Sequence, residues 1–242
     1  MVSNFDGLRV ALLISGKGST AATIIRKFQD STQVRPVCAI ASNPKAGLPN
    51  LIRAGLDEKA TYVISPKMMA NSVAFGEALL KVCREHQVDL VGHYGWLVKS
   101  PANLIAEYKD MIINQHPGPL DPGRVADFGG KGMYGMRVHY TRLKFVHGVD
   151  RDWWTEVTTH RVAEEYDKGA ILDRIKIPIN KDDTVETLAD RALLEEHRLQ
   201  VKVLDDFAKG KVQEWHRQEP LIKPFEINLL NKIKQEAIEV YK

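Results

Sequence analysis

The sequence predicts an α/β fold, with a doubly wound, mostly parallel sheet of about seven strands and an antiparallel pair at its C-terminal edge. Through residues 8–114, apolar runs of strand length alternate with segments of helical period, which is typical of parallel sheets with right-handed crossovers. Two later strand-like runs, 153–162 and 171–177, have only a short connection between them. A pair this close is most easily antiparallel.

The predicted elements of the first half follow in regular order. Strands are expected at 8–14, 36–41, 62–64, 89–91 and 111–114, and helices at 21–28, 48–54, 70–86 and 101–108. The loops after the first, fourth and fifth strands would leave the same edge of a parallel sheet. That edge is the predicted active site, because open α/β sheets bind ligands beyond the carboxyl ends of their strands.

The second half departs from this rhythm. Residues 121–135 hold glycines at 123, 129, 130, 132 and 135 without any period, which predicts a long functional loop or lid. A helix is predicted over 184–207, and the tail that follows becomes amphipathic and could dock on its own core or on a second subunit. The pattern predicts a domain over 1–212 and a C-terminal extension over 213–242, with an amphipathic helix.

Composition narrows the classes of function. The chain has 242 residues and 34 Lys and Arg against 31 Asp and Glu, a formal net charge of +3. This balance disfavours nucleic acid as the main partner, because nucleic-acid binders usually carry a concentrated basic face. Cys38 and Cys83 lie in apolar patterns, which indicates reduced core residues rather than a disulfide framework or metal site.

Residues 1–7 show no signal segment, and no apolar run approaches the length that spans a bilayer. We therefore expect a cytoplasmic monomer or homodimer whose partners are small-molecule substrates rather than a membrane.

The stretch 111–120 places chemistry at the end of the fifth predicted strand. Asn114 and His116 follow an apolar run, and residues two apart on an extended chain point the same way. Pro117 and Pro119 prevent a central strand from continuing. An amide beside an imidazole can stabilise an oxyanion while a proton moves. The alternative is a turn with a surface histidine, since Asn-x-His alone is common.

A short loop with two glycines follows the first predicted strand and precedes a helix. It consists of Gly16, Lys17, Gly18, Ser19 and Thr20. Backbone N–H groups and the helix dipole in such a loop can hold a phosphate. The loop completes neither the Walker A pattern nor the dinucleotide-binding pattern. The alternative is a tight turn in which Ser19 or Thr20 caps the helix.

Five motifs, in this order, resemble the folate-dependent glycinamide ribonucleotide (phosphoribosylglycinamide) formyltransferase family. They are Ile14-Ser15-Gly16-Lys17-Gly18-Ser19, Ser42-Asn43, Ile113-Asn114-Gln115-His116-Pro117, Asp167-Lys168-Gly169-Ala170-Ile171 and Glu195-Glu196-His197. The resemblance implies the Rossmann-like formyltransferase fold over residues 8–212. It also implies transfer of a formyl group from 10-formyl-tetrahydrofolate, the co-substrate, to the amine of glycinamide ribonucleotide in purine biosynthesis, without a metal.

The resemblance implies a catalytic role for three residues. Asn114 would hydrogen-bond the formyl oxygen, and His116 would stabilise the developing oxyanion or act as general acid. Asp167 would hold His116 and a water for proton shuttling. These roles suit a reaction in which an amine attacks a carbonyl-like carbon and protons pass to the departing folate nitrogen. Taken alone, Asp167 could be a solvated turn residue.

The resemblance also implies two binding regions. The loop 16–20 would hold the ribonucleotide phosphate, and Glu196 would accept hydrogen bonds from ribose hydroxyls, although it could also be a charge on a solvated helix face. The pterin pocket would be lined, largely through backbone groups, by Gly95, Trp96, Leu97 and Val98 and by the turn 162–167 with Val162 and Glu165. Trp96 could equally be a core aromatic.

Three departures from the family pattern leave the formyl acceptor open. Gly118-Pro119-Leu120-Asp121 stands where the family usually has Ser-Leu-Leu-Pro. The glycine-rich stretch 124–135 and the Trp153-Trp154 pair match no expected segment. His93-Tyr94-Gly95 looks more like the methionyl-tRNA formyltransferase branch.

Two alternatives to the glycinamide ribonucleotide reaction follow. One is a related formyltransferase that acts on a nucleotide-linked amino sugar or an aminoacyl-tRNA, the latter disfavoured because no basic C-terminal RNA-binding domain is evident. The other is a non-catalytic folate or nucleotide sensor, which would have no use for a proton-transfer set such as Asn114, His116 and Asp167.

Overall fold

The computed structural model describes residues 5–242 and divides the chain into two compact units. Of the described residues, 5–115 and 200–212 form the first unit, and 116–199 and 213–242 form the second. Residues 1–4, part of the stretch in which no signal segment is predicted, lie outside the described residues. The predicted domain over 1–212 with its extension stays a prediction.

The first unit is built on parallel strands, as predicted. They are β1 (Leu8–Ile14), β2 (Val34–Ala41), β3 (Thr61–Val63), β4 (Leu90–His93) and β5 (Ile112–His116), whose last residue belongs to the second unit. Their order is β3-β2-β1-β4-β5, and each neighbouring pair is parallel. β2 starts before Pro36, where the prediction began it, because a register shift opposite Val10 and Ala11 accommodates the proline.

Four helices connect these strands. They are α1 (Ser19–Lys27), α2 (Leu48–Arg53), α3 (Ser72–Glu85) and α4 (Ala102–Glu107), and each overlaps its predicted range. Asn71 begins α3 by accepting a hydrogen bond from the Ala74 N–H at 2.9 Å. Cys38 and Cys83 are buried free thiols, and burial raises the pKa of Cys83 to about 11. Both cysteines are therefore core residues, as predicted.

The second unit contains the antiparallel pair that the sequence predicts. Its strands are β6 (Trp154–Arg161) and β7 (Ile171–Pro178), and its helices are α5 (Met136–Val149), most of α6 (Val185–Ala208), and α7 (Ile227–Val240). Residues 121–135 form an irregular loop, as predicted. The five parallel strands and this antiparallel pair, found among residues 5–242, confirm the predicted fold class.

Helix α5 has no counterpart in the prediction. Its inner face carries Arg137, His139 and Arg142, all buried, beside the apolar Val138 and Phe145. Buried charged residues hide the apolar period on which a helix prediction depends. The polar residues of α5 are thus placed by tertiary packing.

Helix α7 docks on its own unit. Leu230 and Ile233 belong to a buried cluster with Phe128 and Phe145, so the apolar face of the tail covers the core beside α5. Within residues 5–242, no helix combines the length and the apolar character needed to cross a membrane.

A buried carboxylate anchors the C-terminal segment within the second unit. Glu156 of β6 is fully buried, accepts a hydrogen bond from Arg174 Nη1 at 2.8 Å, and contacts Arg217 Nη2. Arg217 Nε also donates to the carbonyl oxygen of Leu120 at 2.6 Å. The Arg174 guanidinium lies 3.6 Å from the centre of the Trp215 ring. A buried carboxylate needs such partners, so residues 215–217 are held firmly.

Replacing Arg217 with Met should lower the free energy of unfolding by about 3 kcal/mol, because Glu156 then loses a buried cationic partner. Urea denaturation measures the change. The matched control is Arg198→Met, whose side chain is 73% exposed beside Glu195, and this variant should change stability by no more than about 0.5 kcal/mol. Equal effects of the two substitutions would show that Glu156 does not depend on Arg217.

Candidate active site

The second unit brings together two of the residues predicted to be catalytic, His116 and Asp167. His116 ends β5 and is 2% exposed. Its Nδ1 lies 3.7 Å from Asp167 Oδ2, and its Nε2 lies 3.3 Å from the carbonyl oxygen of Phe128. Because a carbonyl oxygen only accepts, Nε2 carries the proton of the neutral ring. Nδ1 then faces the carboxylate and can receive a proton beside a stabilising negative charge.

Asp167 is a largely buried residue in a constrained turn of this unit rather than a solvated turn residue. Its side chain is 11% exposed, and its backbone has the left-handed φ of 58°, which Asp tolerates better than most residues. The turn closes where the Arg161 N–H donates to the carbonyl oxygen of Ala170 at 2.9 Å. Gly169 packs so tightly here that a Cβ would lie 1.8 Å from the Arg161 carbonyl oxygen.

A second imidazole, which the sequence analysis did not single out, contacts Asp167. His160 Nε2 lies 3.4 Å from Asp167 Oδ1, and its Nδ1 lies 2.7 Å from the Arg161 carbonyl oxygen. The available signal was the polar composition of the predicted strand that became β6. Its polar residues are all buried in the structure: Thr155, Glu156, Thr158, Thr159 and His160. A central strand with so many polar residues conflicts with ordinary core packing, which is common at functional sites.

The irregular loop 121–135, called the glycine loop from here on, also contacts the carboxylate. The Gly130 N–H donates to Asp167 Oδ2 at 2.8 Å, and the Gly129 N–H donates to Asp127 Oδ1 at 2.9 Å. A Cβ on Gly129 would lie 2.7 Å from Asp167 Cβ, and Gly130 has a φ of 104°. Glycine is therefore required at 129 for close approach and at 130 for backbone conformation.

Burial and charge set the protonation states at this site. Burial lowers the pKa of His116, an effect that Asp167 opposes, so the imidazole is neutral at pH 7. Burial raises the pKa of Asp167, but His116, His160 and the Gly130 N–H outweigh it and hold the pKa well below its usual range. Burial also lowers the pKa of His139 on α5 to about 4, with His116 acting in the same direction. The arrangement is an ionised Asp167 carboxylate beside a neutral His116 imidazole.

Asn114, the third residue predicted to be catalytic, lies two residues before His116 on β5. It is half-buried and stands in register with His93 of β4. Residues two apart on a strand project to the same side, so the Asn114 amide and the His116 imidazole project from the same side of β5.

In the first unit, the loop 16–20 shares an edge with the loop after β4. The Ser15 N–H donates to the Gly95 carbonyl oxygen at 3.0 Å, and Gly18, with a φ of 71°, is the N-cap of α1 without a side-chain capping bond. The alternative interpretation required Ser19 or Thr20 to cap the helix, and neither residue does so. Gly16, Lys17 and Ser19 are exposed, while Gly18 and Thr20 are buried.

Glu196 lies on α6 and is 6% exposed. It is thus not the solvated-face charge that its position on a long helix allowed. Burial of a carboxylate indicates that neighbouring groups satisfy it.

The residues predicted to line the pterin pocket differ in exposure. In the first unit, Trp96 is buried and stacks on Phe75 with ring centres 6.3 Å apart, which matches the core interpretation. Leu97 is 54% exposed, but its N–H donates to Ser15 Oγ at 2.9 Å. Gly95 is exposed, and Val98 is half-buried. In the second unit, Val162 is half-buried and Glu165 is exposed.

Comparison with known proteins gives a consistent set of relatives. The sequence profile of the family described as Formyl transferase matches residues 8–204. The chain is 30% identical to the chloroplastic phosphoribosylglycinamide formyltransferase of Arabidopsis thaliana over 224 residues, covering 88% of this chain and 70% of that protein. It is 25% identical to the phosphoribosylglycinamide formyltransferase of Haemophilus influenzae over 205 residues, covering 85% and 89%.

Other relatives are much longer, and solved structures share the fold. The chain is 31% identical to the trifunctional purine biosynthetic protein adenosine-3 of Gallus gallus, covering 85% of this chain but 19% of that protein. The crystal structure of phosphoribosylglycinamide formyltransferase from Brucella melitensis superposes with a TM-score of 0.71 at 30% identity, covering 87% and 100%. The resemblance predicted from the five motifs is confirmed.

Replacing Gly129 with Ala should lower stability by about 1–3 kcal/mol, because its Cβ would overlap Asp167 and force the carboxylate from its place. Thermal or urea denaturation measures this loss. Gly123→Ala is the control within the same loop, since a Cβ there meets nothing within 4 Å, and it should be neutral. A Gly129→Ala protein as stable as the control would contradict the close packing of the loop on Asp167.

NMR titration should give His116 a pKa below the ordinary histidine value of about 6.5. In Asp167→Asn the pKa should fall further, because the carboxylate favours the imidazolium and its removal takes away the largest of the effects that oppose burial. His116 then stays neutral to a more acidic pH. The exposed His216 serves as internal control for the conditions of the two samples. A rise in the pKa of His116 would show that Asp167 does not act on it.

Proposed function

Since the chain belongs to the formyl transferase family, we propose that it transfers the formyl group of 10-formyl-tetrahydrofolate to the primary amine of glycinamide ribonucleotide, a step of de novo purine biosynthesis. The observation that carries the proposal is the buried His116 between the Phe128 carbonyl and the ionised Asp167. A site that only binds a ligand has no need for this proton-transfer pair.

Asn114, His116 and Asp167 have different roles in this reaction. The amine nitrogen bonds to the formyl carbon, whose bond to the folate nitrogen then breaks, while one proton leaves the amine and one reaches the folate nitrogen. Asn114 donates a hydrogen bond to the oxygen on which negative charge develops. His116 takes up and returns the proton, and Asp167 stabilises the ring while it is charged.

The loop 16–20 and Glu196 are the proposed ribonucleotide contacts. The uncapped start of α1 at Gly18 and the exposed Lys17 suit a phosphate, because backbone N–H groups and the helix dipole favour an anion. A carboxylate such as Glu196 accepts hydrogen bonds from the two hydroxyls of a ribose.

The folate co-substrate is the proposed ligand of residues 95–98 and of the turn 162–167. The exposed Leu97 offers apolar surface to a flat ring, and a Cβ at Gly95 would meet nothing within 4 Å. Because Trp96 packs in the core, it is proposed to support this loop rather than to touch the ring. The cytoplasmic location and the monomer or homodimer state stay predictions.

The first test is turnover of 10-formyl-tetrahydrofolate, followed by absorbance, with glycinamide ribonucleotide, a nucleotide-linked amino sugar and methionyl-tRNA as acceptors. Turnover is expected with glycinamide ribonucleotide, and His116→Ala should lower kcat by about 10²–10⁴-fold, because the positioned proton carrier is lost. Folate binding, measured by calorimetry, should persist. His216→Ala is the matched control and should keep full activity.

Each contrary result is informative. Turnover with another acceptor alone would replace the ribonucleotide while keeping formyl transfer. Unchanged turnover in His116→Ala would refute the catalytic assignment.

A further inference from the structure

We propose that Lys234 of α7 is a positioning residue for Asp167 and acts through the peptide group between Gly129 and Gly130. The proposal concerns the same site and rests on the proposed function. Lys234 lies beyond residue 204, where the match to the family profile ends, so it is a contribution of the C-terminal segment.

The peptide group between Gly129 and Gly130 links the lysine to the carboxylate. Its carbonyl oxygen accepts a hydrogen bond from Lys234 Nζ at 2.7 Å, and its N–H donates to Asp167 Oδ2 at 2.8 Å. A cation on the oxygen of an amide draws electron density from the nitrogen and strengthens the N–H as a donor. Lys234 therefore both fixes and polarises the group that holds Asp167.

The preceding peptide group, between Phe128 and Gly129, is held in the same manner. Its carbonyl oxygen lies 3.3 Å from His116 Nε2, and its N–H donates to Asp127 Oδ1 at 2.9 Å. The two consecutive peptide groups thus contact both His116 and Asp167. A displacement of the Gly129 backbone changes the surroundings of the imidazole and of the carboxylate together.

The loop needs an external anchor because of its composition. Glycine has the largest backbone freedom, and no side chain at 129 or 130 can pack to hold the loop. Helix α7 supplies rigid support, since Leu230, Ile233 and Ala237 are buried. A lysine on a packed helix is a fixed point against which the loop can be held.

The charges around Lys234 favour this arrangement. Burial lowers the pKa of Lys234, and Asp127 and Asp167 act in the opposite direction, while Lys168 acts with burial. Lys168 is occupied elsewhere, with its Nζ 3.5 Å from Asp127 Oδ2 and 3.3 Å from the Arg124 carbonyl oxygen. The two lysines therefore contact the loop at different points, Lys168 at Asp127 and Lys234 at the Gly129 carbonyl.

The test compares Lys234→Met with Lys232→Met, the same change at an exposed position of the same helix. Lys234→Met should lower kcat about tenfold, the effect of a lost hydrogen bond from a charged donor, with both KM values within twofold of the parent. A structural defect alone would instead reduce the fraction of active protein, which active-site titration measures. Lys232→Met should behave as the parent protein.

A second readout does not depend on turnover. Long-range ¹H–¹⁵N spectra report the protonated nitrogen of each histidine ring, and His116→Gln identifies the signals of His116. These signals should shift in Lys234→Met and stay unchanged in Lys232→Met. Unchanged His116 signals together with an unchanged kcat would overturn the proposal.

Restoring the ammonium keeps the test decisive if Lys234→Met folds poorly. Lys234→Cys treated with 2-bromoethylamine regains a cationic side chain of nearly the same length, while Cys38 and Cys83 are buried. Recovery of kcat and of the His116 signals is expected, and the absence of recovery in folded, modified protein would overturn the role of Lys234. An inactive parent protein would refute the proposed function alone, because the spectra still decide on Lys234.

Discussion

The second unit depends on keeping the carboxylate of Asp167 ionised where water scarcely reaches it. An ionised carboxylate in such a place needs donors or positive charge on each side. Here the Gly130 N–H donates to it, the imidazoles of His116 and His160 lie within 4 Å of it, and Asp167 itself has a left-handed backbone conformation. The close backbone approach that this requires leaves no space for a side chain at 129.

The glycine loop that meets this need has little stability of its own, so other parts of the unit hold it. Asp127 accepts from the Gly129 N–H, Arg217 donates to the Leu120 carbonyl at the start of the loop, and Lys234 donates to the Gly129 carbonyl. Two of these three anchors belong to the C-terminal segment. Residues 213–242 are thus part of the second unit, and the apolar face of α7 is buried in the same cluster as Phe128 and Phe145.

Most of the fold could be predicted because it follows from local patterns. Strand-length apolar runs such as Leu8–Ile14 and the helical face of Ser72–Glu85 are visible in the sequence, and each was found close to its predicted place. Helix α5 could not be predicted in this way, because Arg137, His139 and Arg142 point inward among apolar neighbours. Arg137 and Arg142 donate there to the carbonyl oxygens of Tyr241 and Trp154, which lie outside the helix.

The sequence by itself determined the alternation of strands and helices and the family, and it singled out Asn114, His116 and Asp167 as candidate catalytic residues, because short motifs and periodicity are properties of neighbouring residues. Only the tertiary structure decided that His160, Gly129 and Gly130 meet Asp167, that Glu196 is buried while Leu97 is exposed, and that Lys234 reaches the glycine loop. These contacts join residues up to 105 positions apart. Local sequence carries no signal for such contacts, since they depend on how packed elements bring distant backbone groups together.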